Sequence, residues 1–385
     1  MTSPDALSLR APSPHTAAPH AALPTGIAHV AQTVHVVLPN DIDDPSTPSG
    51  GNRYDREACT ALAALGWSVH EQSAHGAWPN PSPNDLATLD ALLADLPATA
   101  IALVDGLIAS AAPDVMAAYA ARLRLVVLVH MPFGDTDPAT RPAEHRALRA
   151  ATAIIATSEW TQRRLLQLYA LPTERMSVAI PGVTPAPPAP GTESGDALLC
   201  VAVLGRHKGH DILIDALARL THRTWTCICA GAADRDPAFV RALQTRIDEA
   251  GLTDRIHLAG PQTGAALEAL YASADLLVHP SRGETYGMVA AEALARGIPV
   301  LATTAKGLPD AVGRTASGIV PGLLVPPDDP EALAAALEQW LTDADLRIHL
   351  RAAALARRAD LTDWTVTARN ISATLRALPA ETPAG

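Results

Sequence analysis

Two glutamates eight residues apart, Glu284 and Glu292, fall within LVHPSRGETYGMVAAEALARGIPVLATT, positions 277–304. Leu277 and Val278 end an apolar run that Pro280, Ser281 and Gly283 break, so Glu284 sits in a turn. Met288 to Arg296 reads as a short helix, with Gly297 just past its end where a left-handed residue is wanted. Ile298 to Ala302 returns as a buried strand. Eight residues are about two helical turns, so both carboxylates can face one crevice. The turn opens onto a helix N-terminus, whose unpaired N–H groups and positive dipole end suit a phosphate. Carboxylates beside a phosphate repel it and serve better as acceptors for hydroxyls, a sugar on one side and a ribose diol on the other. The combination suggests a nucleotide-sugar. The plainer alternative is two solvated glutamates on an ordinary βαβ unit.

Other residues invite the same question. The turn Gly205–Arg206–His207–Lys208–Gly209–His210–Asp211 joins a strand to a helix. A lysine and an arginine there would point at a bound diphosphate and neutralise charge growing on a leaving group. A solvated loop lysine is the alternative. His130 ends the strand LVVLVH and precedes Met131–Pro132–Phe133–Gly134, a position suited to ligand contact, although a lone histidine there is often structural. Ser49–Gly50–Gly51 occupies the first strand-to-helix loop, where glycine lets backbone approach a ligand closely; Asn52 and Arg53 follow as candidate acceptor contacts. Asp105 in LVDGL either binds acceptor hydroxyls or caps the next helix. Trp78 and Phe133 are candidates to line a small-molecule site. Glu268 and Asp275 read as a solvated face and a loop cap.

These residues need strands to hold them, and the chain supplies a regular alternation. VHVVLP (34–39), WSVHE (67–71), AIALVDG (100–106), LVVLVH (125–130), AIIATS (153–158) and MSVAIPG (176–182) read as strands, with helical patterns between them. Residues 184–196, TPAPPAPGTESGD, are Pro- and Gly-rich without apolar periodicity and read as a linker. LLCVAVLG (198–205) restarts the alternation, which continues through TCICAG, RIHLAG and DLLVHP. Asp329–Pro330–Glu331 is a helix start. The division that follows is an N-terminal extension over 1–31, a Rossmann-like domain over 32–184, a linker over 185–197, a second such domain over 198–360, and a C-terminal helix over 361–379. Alternating strands and helices imply parallel sheets with right-handed crossovers, and ligands in such α/β sheets bind at the carboxyl ends of the strands.

Composition narrows the functions. A formal charge of −11 without a basic stripe argues against a general nucleic-acid binder. No apolar run approaches the roughly 20 residues of a membrane span. The first thirty residues are rich in Pro, Ala and His, lack a basic region followed by an apolar one, and read as a disordered extension without a signal peptide. Cys59, Cys200, Cys227 and Cys229 form neither a CxxC pair nor a disulfide framework, which makes the cytoplasm the default location. No metal-ligand cluster is legible in the spacing. Neither G-x-G-x-x-G nor the dipeptide Gly-Lys of a P-loop occurs, which argues against a dinucleotide oxidoreductase and a P-loop enzyme.

Glu284–Thr285–Tyr286–Gly287, then Glu292–Ala293–Leu294–Ala295 and Gly297–Ile298–Pro299–Val300, closely resemble the E-x7-E signature of family 4 retaining glycosyltransferases. The resemblance implies a GT-B fold, two doubly wound Rossmann-like domains facing across a cleft. It places Glu284 by the donor sugar, the amides of Thr285, Tyr286 and Gly287 on sugar and diphosphate, and Glu292 on the ribose. VLGRHKGHDILIDAL resembles the family's KG-helix segment, with Lys208 on the phosphate lysine; Arg206 or His207 would take the accompanying role. His130 matches a histidine near the donor sugar, Gly50 and Gly51 a loop near diphosphate and acceptor, and Gly260 a backbone contact to the nucleobase. The last helix resembles one that crosses back onto the first domain, anchored by Trp364. The implied reaction moves a hexose-type sugar from a UDP- or GDP-linked donor to a hydroxyl of a small-molecule, glycan or lipid acceptor, with no cofactor and no metal. A sugar-nucleotide epimerase, a phosphorylase or a non-catalytic nucleotide-sugar-binding protein remains open beside it.

Overall fold

The computed structural model describes residues 32–379 apart from Pro45, Thr47 and Arg235. The extension expected over 1–31 lies outside the described residues. Within them the predicted alternation condenses into two wholly parallel sheets of six strands. The first half supplies β1 (Thr33–Pro39), β2 (Ser68–Ala74), β3 (Ile101–Asp105), β4 (Arg124–Val129), β5 (Ala153–Ala156) and β6 (Met176–Val178), ordered β2-β1-β3-β4-β5-β6. The second supplies β7 (Ala197–Val201), β8 (Thr226–Ala230), β9 (Ile256–Gly260), β10 (Leu276–His279), β11 (Val300–Thr303) and β12 (Gly322–Val325), ordered β12-β11-β10-β7-β8-β9.

This order decides where ligands can go. In the second sheet the chain builds outward from β7 to β8 and β9, then returns to place β10 on the other side of β7. The loops after β7 and β10 therefore leave in opposite directions, and a crevice opens at their carboxyl ends. The first sheet has the same switch at β1, flanked by β2 and β3. Lys208 follows β7, Glu284 follows β10, Gly50 follows β1 and Asp105 ends β3. These four residues stand at a switch point or beside one, whereas Gly260 ends the edge strand β9.

The structure adds elements that the pattern does not announce. β12 and the helices Gly106–Ala111, Leu308–Val312 and Ala344–Arg357 were not singled out. Gly106–Ala111 is six residues of mostly small apolar side chains, too short to display a helical period. β6 ends at Val178, short of the expected Gly182, because it is an edge strand paired only with β5.

The cores are made by both faces of each sheet. Leu198, Cys200, Leu217, Trp225 and Phe239 fill one side of the second sheet, and Leu277, Ala290, Leu294 and Val300 the other. The C-terminal helix Trp364–Arg376 covers the first sheet instead. Its Trp364 packs edge-on to Tyr54, ring centroids 5.5 Å apart, in a cluster with Val36, Leu62 and Ile155. Trp67 Nε1 donates to Ser372 Oγ at 2.9 Å, and Thr367 Oγ1 donates to the Ile180 carbonyl at 2.7 Å. The approach is closest at Gly182, where a Cβ would lie 2.3 Å from Trp364 N and 2.5 Å from Trp364 Cα.

Those neighbours are backbone atoms that cannot rotate away. Gly182→Ala should cost about 1–3 kcal/mol, the range for overpacking, read as a lower midpoint of urea denaturation. Gly50→Ala meets only Met288 Sδ at 3.6 Å. It should leave the stability within about 1 kcal/mol of wild type. Equal midpoints for the two variants would contradict the close approach of the last helix.

Candidate active site

Glu284 is the meeting point of the two switch-point loops. Its carboxylate is paired with the Lys208 ammonium, and its Oε1 lies 3.0 Å from His279 Nε2 at the end of β10. Burial opposes a charge on Glu284, but Lys208 and His279 outweigh it and hold the carboxyl well below the usual carboxylate range. The two loops are also tied through backbone. Ser281 Oγ donates to the His207 carbonyl at 2.9 Å, and Arg282 N donates to the same carbonyl at 2.8 Å. Gly209 is left-handed, φ 72°, and a Cβ there would fall 2.0 Å from the Pro280 carbonyl oxygen. Only glycine permits that approach. Arg282, unnoticed in the sequence, grips Asp211 through two bonds of 2.8 and 2.9 Å.

One end of the turn leads into the helix Met288–Ala295, with left-handed Gly287 as its N-cap residue. Ser158 Oγ, from the first half of the chain, donates to the Thr285 carbonyl at 2.6 Å. Tyr286 is partly buried against the second core, and burial pushes its phenol up to about 12. Glu292, in the second turn of this helix, is buried with both oxygens engaged. Tyr271 Oη donates to Oε2 at 2.9 Å, and Arg53 Nη1 donates to Oε1 at 2.7 Å. Arg53 comes from the helix Gly50–Ala64, so the halves of the chain meet on the second glutamate of the motif. They also meet where Lys306 Nζ pairs with Asp135 Oδ2 at 2.6 Å. The chain has two lysines, Lys208 and Lys306, and both border the Glu284 turn, since a Cβ on Gly283 would lie 3.4 Å from Lys306 Nζ.

On the opposite wall, Gly50 and Gly51 are the first residues of their helix, capped by Ser49 Oγ, which accepts from Asn52 N at 3.1 Å. A Cβ on Gly51 would lie 3.5 Å from the His130 ring, so the imidazole packs over this glycine. His130 Nε2 is 2.9 Å from Asp55 Oδ1 and 3.6 Å from Asp105 Oδ2. Burial would lower the imidazole, but the two carboxylates outweigh it and push His130 up to about 10. Burial also lifts Asp55 to about 7 against the pull of His130, whereas hydrogen bonding overcomes burial at Asp105 and keeps it low. Asp105 also caps the following helix, accepting from Leu107 N at 2.5 Å. The sequence reading missed Asp55; the available signal was its position four residues after Gly51 on one helix face. It also missed Glu144, fully buried, which accepts from Phe133 N at 2.9 Å and Gly134 N at 2.8 Å and so fixes the loop that carries His130.

Other candidates stand apart. Arg206 lies over the Phe239 ring, 5.0 Å from its centroid, and reaches Asp236 Oδ2 at 3.2 Å, away from the Lys208–Glu284 pair. The His207 ring folds back over Gly205. Gly260 ends β9 with φ 68°, and its carbonyl accepts from Gly231 N at 2.8 Å. Trp78 packs against the first sheet's core and donates to the Ala74 carbonyl at 2.9 Å. Glu268 is paired with Arg296 rather than simply solvated. Asp275 is buried and accepts from Thr192 N at 2.6 Å and Ala197 N at 2.9 Å, which pins the end of the linker. The fold also assembles two potential metal-ligand groups that spacing did not reveal, Cys200–His210–Cys229 and Asp55–Asp105–His130, each with its donor atoms within 4.8 Å of one another. Cys200 and Cys229 belong to the second sheet's apolar core, directly paired on β7 and β8.

The His130 cluster makes a clear titration prediction. His130 and Asp55 both hold protons more tightly in the folded chain than free groups do. Their joint contribution to stability is therefore greatest at low pH and is lost as pH rises through about 7 and then about 10. Imidazole NMR should find His130 protonated well above pH 7, and Asp55→Asn should lower its midpoint by about 1–3 pH units. A midpoint near 6.5 in both proteins would contradict the cluster.

Two family models match in succession, Glycosyltransferase Family 4 over residues 32–186 and Glycosyl transferases group 1 over residues 189–357. Curated relatives include the D-inositol 3-phosphate glycosyltransferases of Jonesia denitrificans and Xylanimonas cellulosilytica. The first is 31% identical over 250 residues, covering 60% of this chain and 58% of the relative. The second is 32% identical over 230 residues, covering 55% and 54%. The chain thus matches somewhat over half the length of these relatives. Among solved structures, sucrose-phosphate synthase from Thermosynechococcus elongatus superposes with a TM-score of 0.72 at 22% identity, covering 90% of this chain and 99% of that one. Anabaena HepE, solved with UDP and glucose, gives 0.69 at 21% identity, covering 90% and 100%. These structures share the GT-B arrangement of two parallel sheets with flanking helices. The chain belongs to the glycosyltransferases, with a family 4 first half and a group 1 second half in a GT-B fold.

Proposed function

We propose that this protein is a retaining glycosyltransferase that moves a hexose-type sugar from a nucleoside-diphosphate sugar, UDP- or GDP-linked, to an acceptor hydroxyl. The observation that carries the reading is the pair Glu284 and Glu292 on one turn and helix, with Lys208 on the first of them. Glu292 would accept the ribose diol and Glu284 a sugar hydroxyl, while Lys208 and the N-terminus at Gly287 would stabilise the departing diphosphate. In this reading residues 198–360 hold the donor, 32–184 set the acceptor side, 185–197 join them and 361–379 return to the first half. Retention follows from attack on the face the leaving group departs from, with a leaving phosphate oxygen taking the acceptor proton as the new glycosidic bond forms. No side chain is assigned as a covalent nucleophile. The curated relatives' names support a glycosyl acceptor of the polyol-phosphate kind, and HepE's bound UDP supports a uridine donor. No helix of the described residues is long and apolar enough to cross a membrane. The four free cysteines, all buried, support a cytoplasmic location.

Thermal unfolding with UDP-, GDP- and ADP-sugars tests the donor. A ligand at about 100 times its Kd should add roughly 2.7 kcal/mol, with one base preferred and the gain lost in Glu292→Ala. No shift with any sugar nucleotide would remove the reading. Turnover with inositol phosphates and simple glycosides as acceptors then separates transfer from an acceptor-free change in the sugar, which would indicate an epimerase. Lys208→Ala should lower kcat by about 10²–10³, the scale for losing one group that stabilises developing charge. A kcat unchanged by Lys208→Ala would mean that the leaving group is stabilised elsewhere.

A further inference from the structure

Arg53 and a donor ribose require the same oxygen. Glu292 Oε2 is taken by Tyr271 at 2.9 Å, and Oε1 by Arg53 Nη1 at 2.7 Å. Tyr271 is fully buried and rooted in the second core, so it has little freedom to leave. Arg53 differs. Its side chain is 39% exposed, and among the described residues a single bond, to Glu292, engages one of its five N–H donors. Its helix begins at Gly50, where a Cβ would lie 3.6 Å from Met288 Sδ. The first residue of one helix therefore packs against the first side chain of the other, one helix from each half of the chain. Each helix carries the positive end of its dipole at this contact. An arginine there gains little from its surroundings except through an anion, and Glu292 is the anion within reach.

Resting on the donor reading above, we propose that Arg53 is a donor-binding residue that exchanges the Glu292 carboxylate for the donor diphosphate. A ribose diol on Glu292 removes the arginine's partner. Gly287 is five residues from Glu292 on the same helix, about 7.5 Å of axial rise, a shift that a long flexible side chain can make. The planar guanidinium matches two phosphate oxygens at once, which a lysine ammonium does not. Donor arrival would thus convert a contact between the two halves into a contact with ligand, still contributed from the acceptor side. No covalent step is involved.

Calorimetric titration of uridine, UDP, guanosine and GDP into wild type, Arg53→Ala and Arg53→Lys tests this. For whichever base binds, Arg53→Ala should weaken the diphosphate about tenfold or more and leave the matching nucleoside unchanged or tighter. Arg53→Lys should fall between. If nucleoside and diphosphate tighten equally in Arg53→Ala, the arginine only competes with ribose. If both weaken equally or neither changes, it is a clamp or a bystander; each of these results overturns the exchange. If wild type binds neither diphosphate, the donor reading fails and this inference falls with it. Arg53→Gln, which can still donate to Glu292, provides the same comparison should Arg53→Ala be poorly folded.

Discussion

A carboxylate largely withdrawn from water needs a cation, and in this protein that need joins the two loops on which the site is built. Glu284 is nearly removed from water, and Lys208 and His279 supply the compensation. Removing one member of a pair this far withdrawn from water leaves the other charged and unpaired, which costs more than the pair contributes. The geometry is therefore demanding: the β7 loop must bring Lys208 to the β10 loop, and left-handed Gly209 and the Ser281 and Arg282 bonds to His207 are how it does so. A sheet that builds outward from β7 and returns at β10 makes such a meeting available, because the two loops diverge from adjacent strand ends.

The charge distribution follows the same logic. The chain carries a net charge of −11, yet its two lysines lie beside one turn, and Arg53 arrives there from the opposite half. An acidic protein repels anions at long range, so the anionic donor proposed above would depend on local features: paired cations, helix N-termini and the exclusion of water. His130, backed by Asp55 and Asp105, extends the arrangement to the opposite wall, where the two carboxylates orient its imidazole and favour its protonated form. Each cation in the crevice is already matched to a carboxylate, which keeps a cleft of charged groups compatible with a folded chain.

Much of this was legible in the sequence, for definable reasons. The strand–helix alternation, the linker and the E-x7-E turn are local patterns, and local patterns survive in one dimension. The positions of Lys208, Glu284, Gly50 and His130 at strand ends follow from the same alternation. What escaped depends on partners elsewhere in the chain: Asp55, Glu144 and Tyr271 reach theirs across 75, 10 and 21 residues, and of the three only Asp55 carries a local signal, its place one helical turn after Gly51. Arg206 shows the converse limit. Its place in a basic turn suggests a phosphate, but Asp236 and Phe239, at the start of the helix Pro237–Glu249, capture it. Gly106–Ala111 is hidden because six residues are too few to display a helical period.

The most direct measurement is a crystal structure of the chain soaked with UDP or GDP, whichever it binds more tightly. The account predicts the ribose diol on Glu292, the diphosphate between Lys208 and the helix N-terminus at Gly287, and the Arg53 guanidinium withdrawn from Glu292 toward the phosphates. A nucleotide seated elsewhere, or a ribose that leaves Glu292 to Arg53, would contradict it.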